Sequence, residues 1–477
     1  MPALPPQPNV LLESLRHMGY TLKSAVADII DNSISAGATN ISVQFRGQSP
    51  IFSSACIAIC DNGCGMLKNE LLHNMKFGSR DSRSEECRNS LDLGRFGLGL
   101  KMASISQCRR LTVFSWKNGT VSSFCWDLDK IGENWEIIEL STEEIISHRS
   151  LNHIKEELTF SVSEHGTIVL WENLDRENTK HNQFISETME KVRDHISLVF
   201  HRFMKAEQKN DIPILFDMNN MAIEPMSPFG PDSDKRYILN AEVFRIKGHK
   251  VVYQPYILPR CVDTTPAEYE RYAGDEGYLQ NQGFYVYRNK RLIERATWFN
   301  KRKKEHKTQL LRIQIDIPAE LDDCWAIDVK KSQTSPPMEI QERVLSIVEE
   351  AMKTARRHWD SHLVNVAKLP NDLEPLWEIR QISSNRSVYK VNLSHPLLQV
   401  IRKELPTKYK DAFLLYLDSL SANFPYERYY SDRCQMENNE QEIPKQENLN
   451  KLRVMKMLEA AGATSEEIQK ILTSSQL

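Results

Sequence analysis

Chemistry-bearing residue types first appear together in the stretch "ADIIDNSISAGA", where Asp28 and Asn32 are four residues apart. On a helix this spacing places both side chains on one face. A carboxylate can orient a water as a general base, and an amide oxygen one turn later can bind a hard cation such as Mg²⁺. An exposed or helix-capping role explains the same pair, so the pair alone does not establish a catalytic or metal-binding role.

A second segment, "CDNGCGM", places Asp61 at the end of a predicted buried strand and follows it with Gly63 and Gly65. A carboxylate there can accept a hydrogen bond from the amino group of a flat heterocycle. The glycines let the backbone approach such a ring with no Cβ between them. The alternative is an ordinary turn after a strand.

The cysteines of this region, Cys56, Cys60 and Cys64, also raise the possibilities of a metal loop and a redox pair. Their spacing of four would share a helix face, but the local pattern is that of a strand entering a glycine turn. No histidine or second cysteine pair follows at zinc-finger distance. The nine cysteines are an odd number scattered along the chain, which favours reduced, packed thiols.

The third segment, "LGRFGLGLKMASIS", places Gly94, Gly97 and Gly99 before a predicted helix. Free backbone N–H groups and the positive end of the helix dipole form a cradle for phosphate at such a position. The spacing G-x-x-G-x-G without G-K-[ST] is neither a Walker loop nor a dinucleotide fingerprint.

The elements that must position these segments predict an α+β fold. Helical periodicity at 9–36 is followed by two strands, at 39–45 and 55–61, and by a polar, glycine-marked loop at 78–97. A helix and a run of antiparallel-looking strands come next, which indicates helices on one face of a mixed sheet. We predict three domains, at 1–207, 208–362 and 363–477.

Bulk properties describe an ordinary protein of 477 residues, with a formal net charge of −3. Any contact with nucleic acid must therefore come from a local patch. The sequence shows neither a membrane-spanning apolar run nor a signal peptide, so we expect a cytoplasmic protein without a membrane partner.

Taken together and in this order, the three segments resemble the Bergerat-fold ATPases of the GHKL superfamily over residues ~10–205. The resemblance implies an ATP site in which Asn32 binds Mg²⁺ and Asp61 recognises adenine. Gly63, Gly65 and Met66 would shape the base pocket, and the loop at 78–97 would be a lid over ATP. Thr167 matches a late threonine that supports the adenine-binding aspartate through a hydrogen bond or water. The lid and the helix start would close over the phosphates with Gly94, Phe96, Gly97, Leu98, Gly99, Leu100 and Lys101.

One departure from the family pattern concerns hydrolysis. Hydrolytic members usually carry glutamate four residues before the metal-binding asparagine, and this chain has Asp28. The carboxylate is one methylene shorter, so its reach to an attacking water changes. We therefore expect ATP binding with slow turnover.

The downstream sequence resembles the transducer, a ribosomal-protein-like α/β domain, of the MORC-like and MutL-like branch. In "WAIDVKKSQTSPP", Lys331, with Lys330 as the alternate, matches the basic residue that senses the γ-phosphate. A solvated lysine pair at a strand end is the alternative. Histidine kinases place their ATPase domain after a dimerising helix, an order that this chain does not match. Bacterial relatives imply a restriction–modification or phage-defence role.

A basic run at 288–307 holds nine Lys/Arg against two Glu. A compact patch of this kind can bind phosphate backbones, although a solvated face is the alternative. We predict contacts to double-stranded DNA from Arg288, Lys290, Arg291, Lys301, Arg302, Lys303 and Lys304.

These predictions combine into an ATP-dependent homodimeric clamp with a small carboxyl-terminal region for partner docking or dimerisation. Two alternatives remain at this point. One is a non-hydrolysing ATP sensor that recruits a nuclease or methyltransferase, and the other is a chaperone-like ATPase.

Overall fold

The structure is a computed structural model that describes most of the chain with gaps. The described residues are 7–17, 19–77, 99–132, 135–175, 182–207, 211–230, 236–259, 264–274, 276–322, 324–325, 348–356, 377–383 and 386–423.

Two compact units divide the chain, and each is built from several segments. The first unit comprises Met1–Ile257, Asn281–Lys303 and Arg312–Ile347. The second comprises Leu258–Gln280, Lys304–Leu311 and Val348–Leu477. The three-domain division at 207/208 and 362/363 stays a prediction.

An eight-stranded mixed sheet forms the centre of the first unit, in the order β5-β4-β3-β6-β2-β1-β7-β8. Neighbouring strands are antiparallel except for the parallel pair β1–β7. The strands are β1 (Asn40–Arg46), β2 (Cys56–Asp61), β3 (Cys108–Lys117), β4 (Thr120–Asp127), β5 (Ile138–Glu139), β6 (Gly166–Leu174), β7 (Leu215–Met218) and β8 (Met221–Ala222).

Within the described ranges, seven helices accompany this sheet. They are α1 (Pro8–Arg16), α2 (Leu22–Ser35), α3 (Lys68–Met75), α4 (Gly99–Gln107), α5 (Thr142–Ile146), α6 (Arg149–Glu157) and α7 (Asn182–Val199). Helix α2 begins at a capping box in which Thr21 and Ser24 satisfy each other's backbone N–H groups.

The apolar residues of α2, α3, α4 and α7 pack on one face of the sheet, where Ile29, Leu71, Ala103 and Ile196 join a single core. The prediction that helices cover one face is incomplete. Helices α5 and α6 pack on the opposite face, where Leu151 lies in a second core. The predicted α+β sandwich with a large mixed sheet is confirmed.

A second sheet of the first unit has the order β10-β11-β14-β12-β13, with β9 paired to β11. Strands β12 and β14 are parallel. The strands are β9 (Tyr237–Ile238), β10 (Glu242–Ile246), β11 (His249–Ile257), β12 (Gly283–Arg288), β13 (Arg291–Thr297) and β14 (Leu311–Ile317).

The hairpin β12–β13 turns through Asn289 and Lys290, whose φ angles of 48° and 69° are both left-handed. Two left-handed residues form the tight turn that matches strand twist. Tyr287 and Leu292 of this hairpin share a core with Phe229, and Leu198 of α7 packs against it. Helix α7 therefore contacts both the second sheet and the core of the first.

In the part of the second unit that the structure describes, there are several helices and one β-hairpin. Its elements are α8 (Pro266–Ala273), α9 (Gly277–Gln280), a 3-10 turn (His306–Thr308), α10 (the helical residues 348–356), β15 (Trp377–Ser383), β16 (Arg386–Val391), α11 (Pro396–Glu404) and α12 (Thr407–Ala422). Tyr269 stacks on Tyr278, and the Ser421 hydroxyl of α12 accepts the Val391 N–H of β16 at 3.1 Å.

Among the described helices, none combines the length and the apolar character needed to span a membrane.

Candidate functional site

Asp61, the last residue of β2, is the most strongly organised carboxylate of the three predicted segments. It is 4% exposed. The Ser33 hydroxyl of α2 donates to its Oδ2 at 2.7 Å, and the Gly63 N–H donates to its Oδ1 at 2.9 Å. Burial raises the pKa of Asp61 to about 6, against the lowering effect of hydrogen bonds from Ser33, Gly63 and the Thr167 backbone. The carboxylate is thus fixed in place, and its pKa lies close to neutral pH.

The glycine turn after Asp61 is packed against protein on the sides where side chains would project. A Cβ on Gly65, whose φ is +63°, would lie 1.7 Å from the Trp116 carbonyl oxygen. A Cβ on Gly63 would lie 2.8 Å from the Ala36 Cβ. Close packing of the turn on the end of α2 and on β3 therefore requires both glycines. This requirement fits the alternative of a turn after a strand, and it does not depend on a ligand.

Ser115 on β3 is a site residue that the sequence analysis missed. Its Oγ accepts the Met66 N–H at 2.9 Å and lies 3.0 Å from the Thr167 Oγ1. The same hydroxyl donates to the Gly166 carbonyl at 3.2 Å. Ser115 thereby ties the glycine turn to β6. A single serine 49 residues from Met66 carries no local signal that could have revealed this contact.

Thr167 lies directly opposite Asp61 in the antiparallel register of β2 and β6. Its backbone contributes a hydrogen bond to the Asp61 carboxylate, while its hydroxyl pairs with Ser115. The structure therefore brings together Asp61, Gly63, Met66 and Thr167.

Asn32 on α2 fits the role of a cation ligand. Its Nδ2 donates to the Asp28 backbone carbonyl at 3.1 Å, and the side chain is exposed. Because the amide nitrogen is engaged by the helix, the amide oxygen is the atom left for a hard cation, which prefers oxygen ligands. The donor chemistry at this position thus suits Mg²⁺.

Asp28 is 3% exposed and its two carboxylate oxygens have different partners. The Tyr20 hydroxyl donates to Oδ2 at 2.8 Å. The Arg291 Nη2 lies 3.4 Å from the Asp28 Oδ1. The Nε of the same guanidinium donates to the Asp31 carboxylate at 2.6 Å. The predicted general base therefore lies in a buried charged cluster that includes an arginine of the second sheet.

At the start of α4, Gly99 has open space where a Cβ would stand. Leu100 is half-buried, and Lys101 is buried with its Nζ donating to the Asn74 carbonyl at 2.7 Å. The Lys101 ammonium is thus bound to α3. Of the remaining predicted nucleotide residues, Gly94, Phe96, Gly97, Leu98, Lys330 and Lys331 lie outside the described residues.

The predicted DNA patch needs correction at three positions. Arg288 is buried and pairs with Asp322 at 2.7 Å, and Arg291 is buried against α2. Lys290 pairs with Asp211 at 2.7 Å. The hairpin turn directs these cations to carboxylates inside the first unit, so they do not form a free surface for phosphate.

The rest of the patch is more accessible. Lys301 and Lys303 are exposed, Arg302 and Lys304 are half-buried, and Lys304 donates to the Gln280 carbonyl.

The cysteines occupy the sheet and the turn. Cys56 and Cys60 are buried in the core beneath α5 and α6, and Cys64 is exposed in the glycine turn. Burial raises the pKa of Cys56 to about 12 and raises that of Cys60 as well, which keeps these thiols protonated. Within the described ranges, no cluster of His, Cys, Asp and Glu could hold a metal ion.

Comparisons with known proteins bear on the same part of the chain. Residues 20–160 match the family described as "Histidine kinase-, DNA gyrase B-, and HSP90-like ATPase". The chain is 32% identical over 101 residues to "ATPase MORC2B" of Mus musculus, which covers 21% of this chain and 10% of that protein. It is 30% identical over 112 residues to "ATPase morc-1" of Caenorhabditis elegans, covering 24% and 12% respectively. The chain thus matches 10–12% of the length of these curated relatives.

Proposed function

Since the chain contains a MORC-like GHKL ATPase domain, as its sequence resemblance predicted, we propose that it binds Mg·ATP at Asp61 and Asn32 and hydrolyses the nucleotide slowly. The observation that carries the proposal is the Asp61 carboxylate. It is buried at a strand end, fixed by Ser33 and Gly63, and followed by a turn that the Ser115 hydroxyl holds in place.

In the proposed complex, the Asp61 carboxylate accepts a hydrogen bond from the adenine amino group. Hydrogen bonds from Ser33 and Gly63 orient that carboxylate, and they are already formed before the ligand binds. The Asn32 oxygen holds Mg²⁺, which would neutralise charge on the phosphates when bound. The amino end of α4 at Gly99 is proposed to face the phosphates with the first backbone N–H groups of the helix.

Asp28 is the group proposed to orient the attacking water. Its Oδ2 accepts the Tyr20 hydroxyl at 2.8 Å, and its Oδ1 lies 3.4 Å from the Arg291 guanidinium. Oδ1 is proposed to accept a hydrogen bond from the attacking water. Lys331, with Lys330 as the alternate, is proposed to sense the γ-phosphate.

The wider proposal is a homodimeric clamp that ATP closes and that acts on double-stranded DNA. Contacts to the γ-phosphate are absent in the ADP state, so they supply the free-energy difference that such a switch needs. The exposed Lys301 and Lys303 are the proposed DNA contacts, with Arg302 and Lys304 beside them. A restriction–modification or phage-defence role stays a prediction of the resemblance.

A second candidate is an ATP sensor that binds without hydrolysis and recruits a nuclease or methyltransferase. The observation in its favour is the ion pairing of Asp28 with Arg291, because a carboxylate engaged by a cation is a weaker base. A chaperone-like ATPase is the third candidate.

Steady-state ATP hydrolysis, measured with and without double-stranded DNA, separates these candidates. The clamp predicts turnover that disappears in Asp28→Asn and rises with DNA. The sensor predicts ATP binding with turnover no greater than that of Asp28→Asn. Stimulation by an unfolded protein and not by DNA supports the chaperone.

Charge reversal tests the DNA surface. Replacing Lys301 and Lys303 with Glu is expected to weaken DNA binding and to reduce its salt dependence by about one unit of slope per lost phosphate contact. Unchanged DNA affinity in this variant shows that another surface is used.

A further inference from the structure

We propose that Arg291 is a positioning residue for the Asp28 carboxylate, through which the second sheet sets the orientation of the base in ATP hydrolysis. The inference rests on the proposed function and names a residue 263 positions from Asp28 along the chain.

The backbone places Arg291 by two independent constraints. Arg291 is the first residue of β13 and pairs with Arg288 across the tight turn at Asn289 and Lys290. Arg288 is fixed in turn by a buried ion pair with Asp322 at 2.7 Å. The end of the hairpin is therefore held by the segment that follows β14, and the Arg291 guanidinium reaches α2 from this fixed position.

Arg291 makes one short and one long ion pair with carboxylates of α2. Asp28 and Asp31 are three residues apart and lie on one face of the helix. Arg291 pairs with Asp31 at 2.6 Å through Nε and with Asp28 at 3.4 Å through Nη2. One guanidinium can engage two carboxylates because its donors diverge in a planar fork, which a lysine ammonium cannot reproduce.

The cluster is enclosed and its charges come from several elements. Arg291, Asp28 and Asp31 are 4%, 3% and 0% exposed. The guanidinium lies 5.8 Å from the ring centre of Phe200, after α7. His195 of α7 stays neutral, because burial and the positive charges of Arg291, Lys23 and Arg295 lower its pKa to about 3. Tyr20 supplies the remaining contact to Asp28, through its hydroxyl.

This geometry gives Arg291 a task beyond balancing charge. The Asp28 side chain is short, so a small rotation moves the oxygen that is proposed to accept from the attacking water out of line with that water. Tyr20 and Arg291 hold the two oxygens from opposite ends and fix that rotation. A displacement of about 1 Å in a reacting group can cost about 100-fold in rate.

Arg291→Lys keeps the charge and loses the fork, and Arg288→Lys is the matched control. Both arginines are buried, flank the same turn and pair with an aspartate. Arg288 pairs with Asp322, whereas the aspartates paired with Arg291 lie on α2. We expect kcat for ATP hydrolysis without DNA to fall about tenfold or more in Arg291→Lys, with KM changed less than about threefold. Arg288→Lys should lower the melting temperature similarly and keep kcat within about twofold.

A second variant distinguishes the orientation of Asp28 from charge balance, and it serves if Arg291→Lys does not fold. Arg291→Gln combined with Asp31→Asn removes one positive and one negative charge together, so the net charge of the buried cluster does not change. We expect its melting temperature to recover relative to Arg291→Gln alone while kcat stays low. Recovery of both quantities shows that Arg291 only balances charge, which overturns the inference.

The outcomes also separate this inference from the proposed function. If Asp28→Asn abolishes turnover but Arg291→Lys matches Arg288→Lys, the inference alone is wrong. If the wild-type protein binds ATP and shows no turnover above Asp28→Asn, proposed hydrolysis fails and the inference fails with it.

Discussion

Asp61 combines two opposing features, since burial disfavours its charge while three hydrogen bonds favour it. The balance raises its pKa to about 6. A group with this pKa is ionised at neutral pH and becomes protonated only slightly below it. Its ability to accept a charge-assisted hydrogen bond from adenine therefore depends on pH.

We predict that adenosine binds more weakly as the pH falls through about 6, because the protonated Asp61 loses the charge that strengthens its hydrogen bond to the adenine amino group. Adenosine is the suitable probe since it carries no phosphate that titrates in this range. Calorimetric titration between about pH 5 and pH 8 measures the effect. An affinity that is flat across this interval contradicts the assignment of Asp61.

Ser115 gives a second prediction at the residue scale. Ser115→Ala leaves the Met66 N–H and the Thr167 hydroxyl without this partner, so we expect a loss of about 1–3 kcal/mol in the free energy of unfolding. ATP affinity should fall as well, because the glycine turn loses its tie to β6. Denaturant unfolding and ATP titration provide the measurements.

Ser123→Ala is the matched control for Ser115. Ser123 is a buried serine of the adjacent strand β4, and its hydroxyl has no hydrogen-bond partner in the part of the chain that the structure describes. We expect little change in stability and none in ATP affinity. Equal effects from the two substitutions count against a role for Ser115 in the site.

At the scale of elements, the turn between β2 and α3 depends on close backbone packing. Gly65 and Gly37 both have a positive φ, +63° and +74°, but only Gly65 has a backbone oxygen in the position of a Cβ. The pair therefore separates conformational strain from steric conflict.

Gly37→Ala should cost about 1–2 kcal/mol of stability from strain alone, with ATP binding kept. Gly65→Ala adds a clash with the Trp116 carbonyl and should cost about 2–5 kcal/mol in total, with ATP binding lost. Thermal unfolding and ATP titration test both variants. Equal losses for the two would show that the turn is not packed as described.

The elements nearest the site were predictable because their signals are local. The periodicity around Asp28 and Asn32, the buried strand before Asp61 and the glycine turn each depend on residues within a few positions of one another. Ser115 and Arg291 were not predictable in the same way. Their roles arise from contacts 49 and 260 positions away in sequence, which no local pattern encodes.

The basic run at 288–307 shows the limit of charge counting. Arg288, Lys290 and Arg291 belong to a run of cations in sequence, yet the hairpin directs each to an aspartate. Likewise, helices were expected on one face of the sheet, and α5 and α6 pack on the other face.

At the scale of the whole molecule, the proposed clamp requires that the nucleotide state change the association of two copies. We predict a dimer with a non-hydrolysable ATP analogue and a monomer with ADP, because only the former offers γ-phosphate contacts. Light scattering coupled to size exclusion measures the mass in each state. A monomer in both states eliminates the dimeric clamp and leaves the ATP site unaffected.

The central claim is that Asp61 binds the nucleotide, and ATP titration of Asp61→Asn tests it most directly. Asp217→Asn is the matched control, since Asp217 is a half-buried aspartate on the same sheet that likewise accepts a serine hydroxyl, from Ser42 at 2.6 Å. We predict that Asp61→Asn weakens ATP binding about tenfold or more, while Asp217→Asn stays within about twofold of wild type. Equal ATP affinity in wild type and a folded Asp61→Asn would contradict the account.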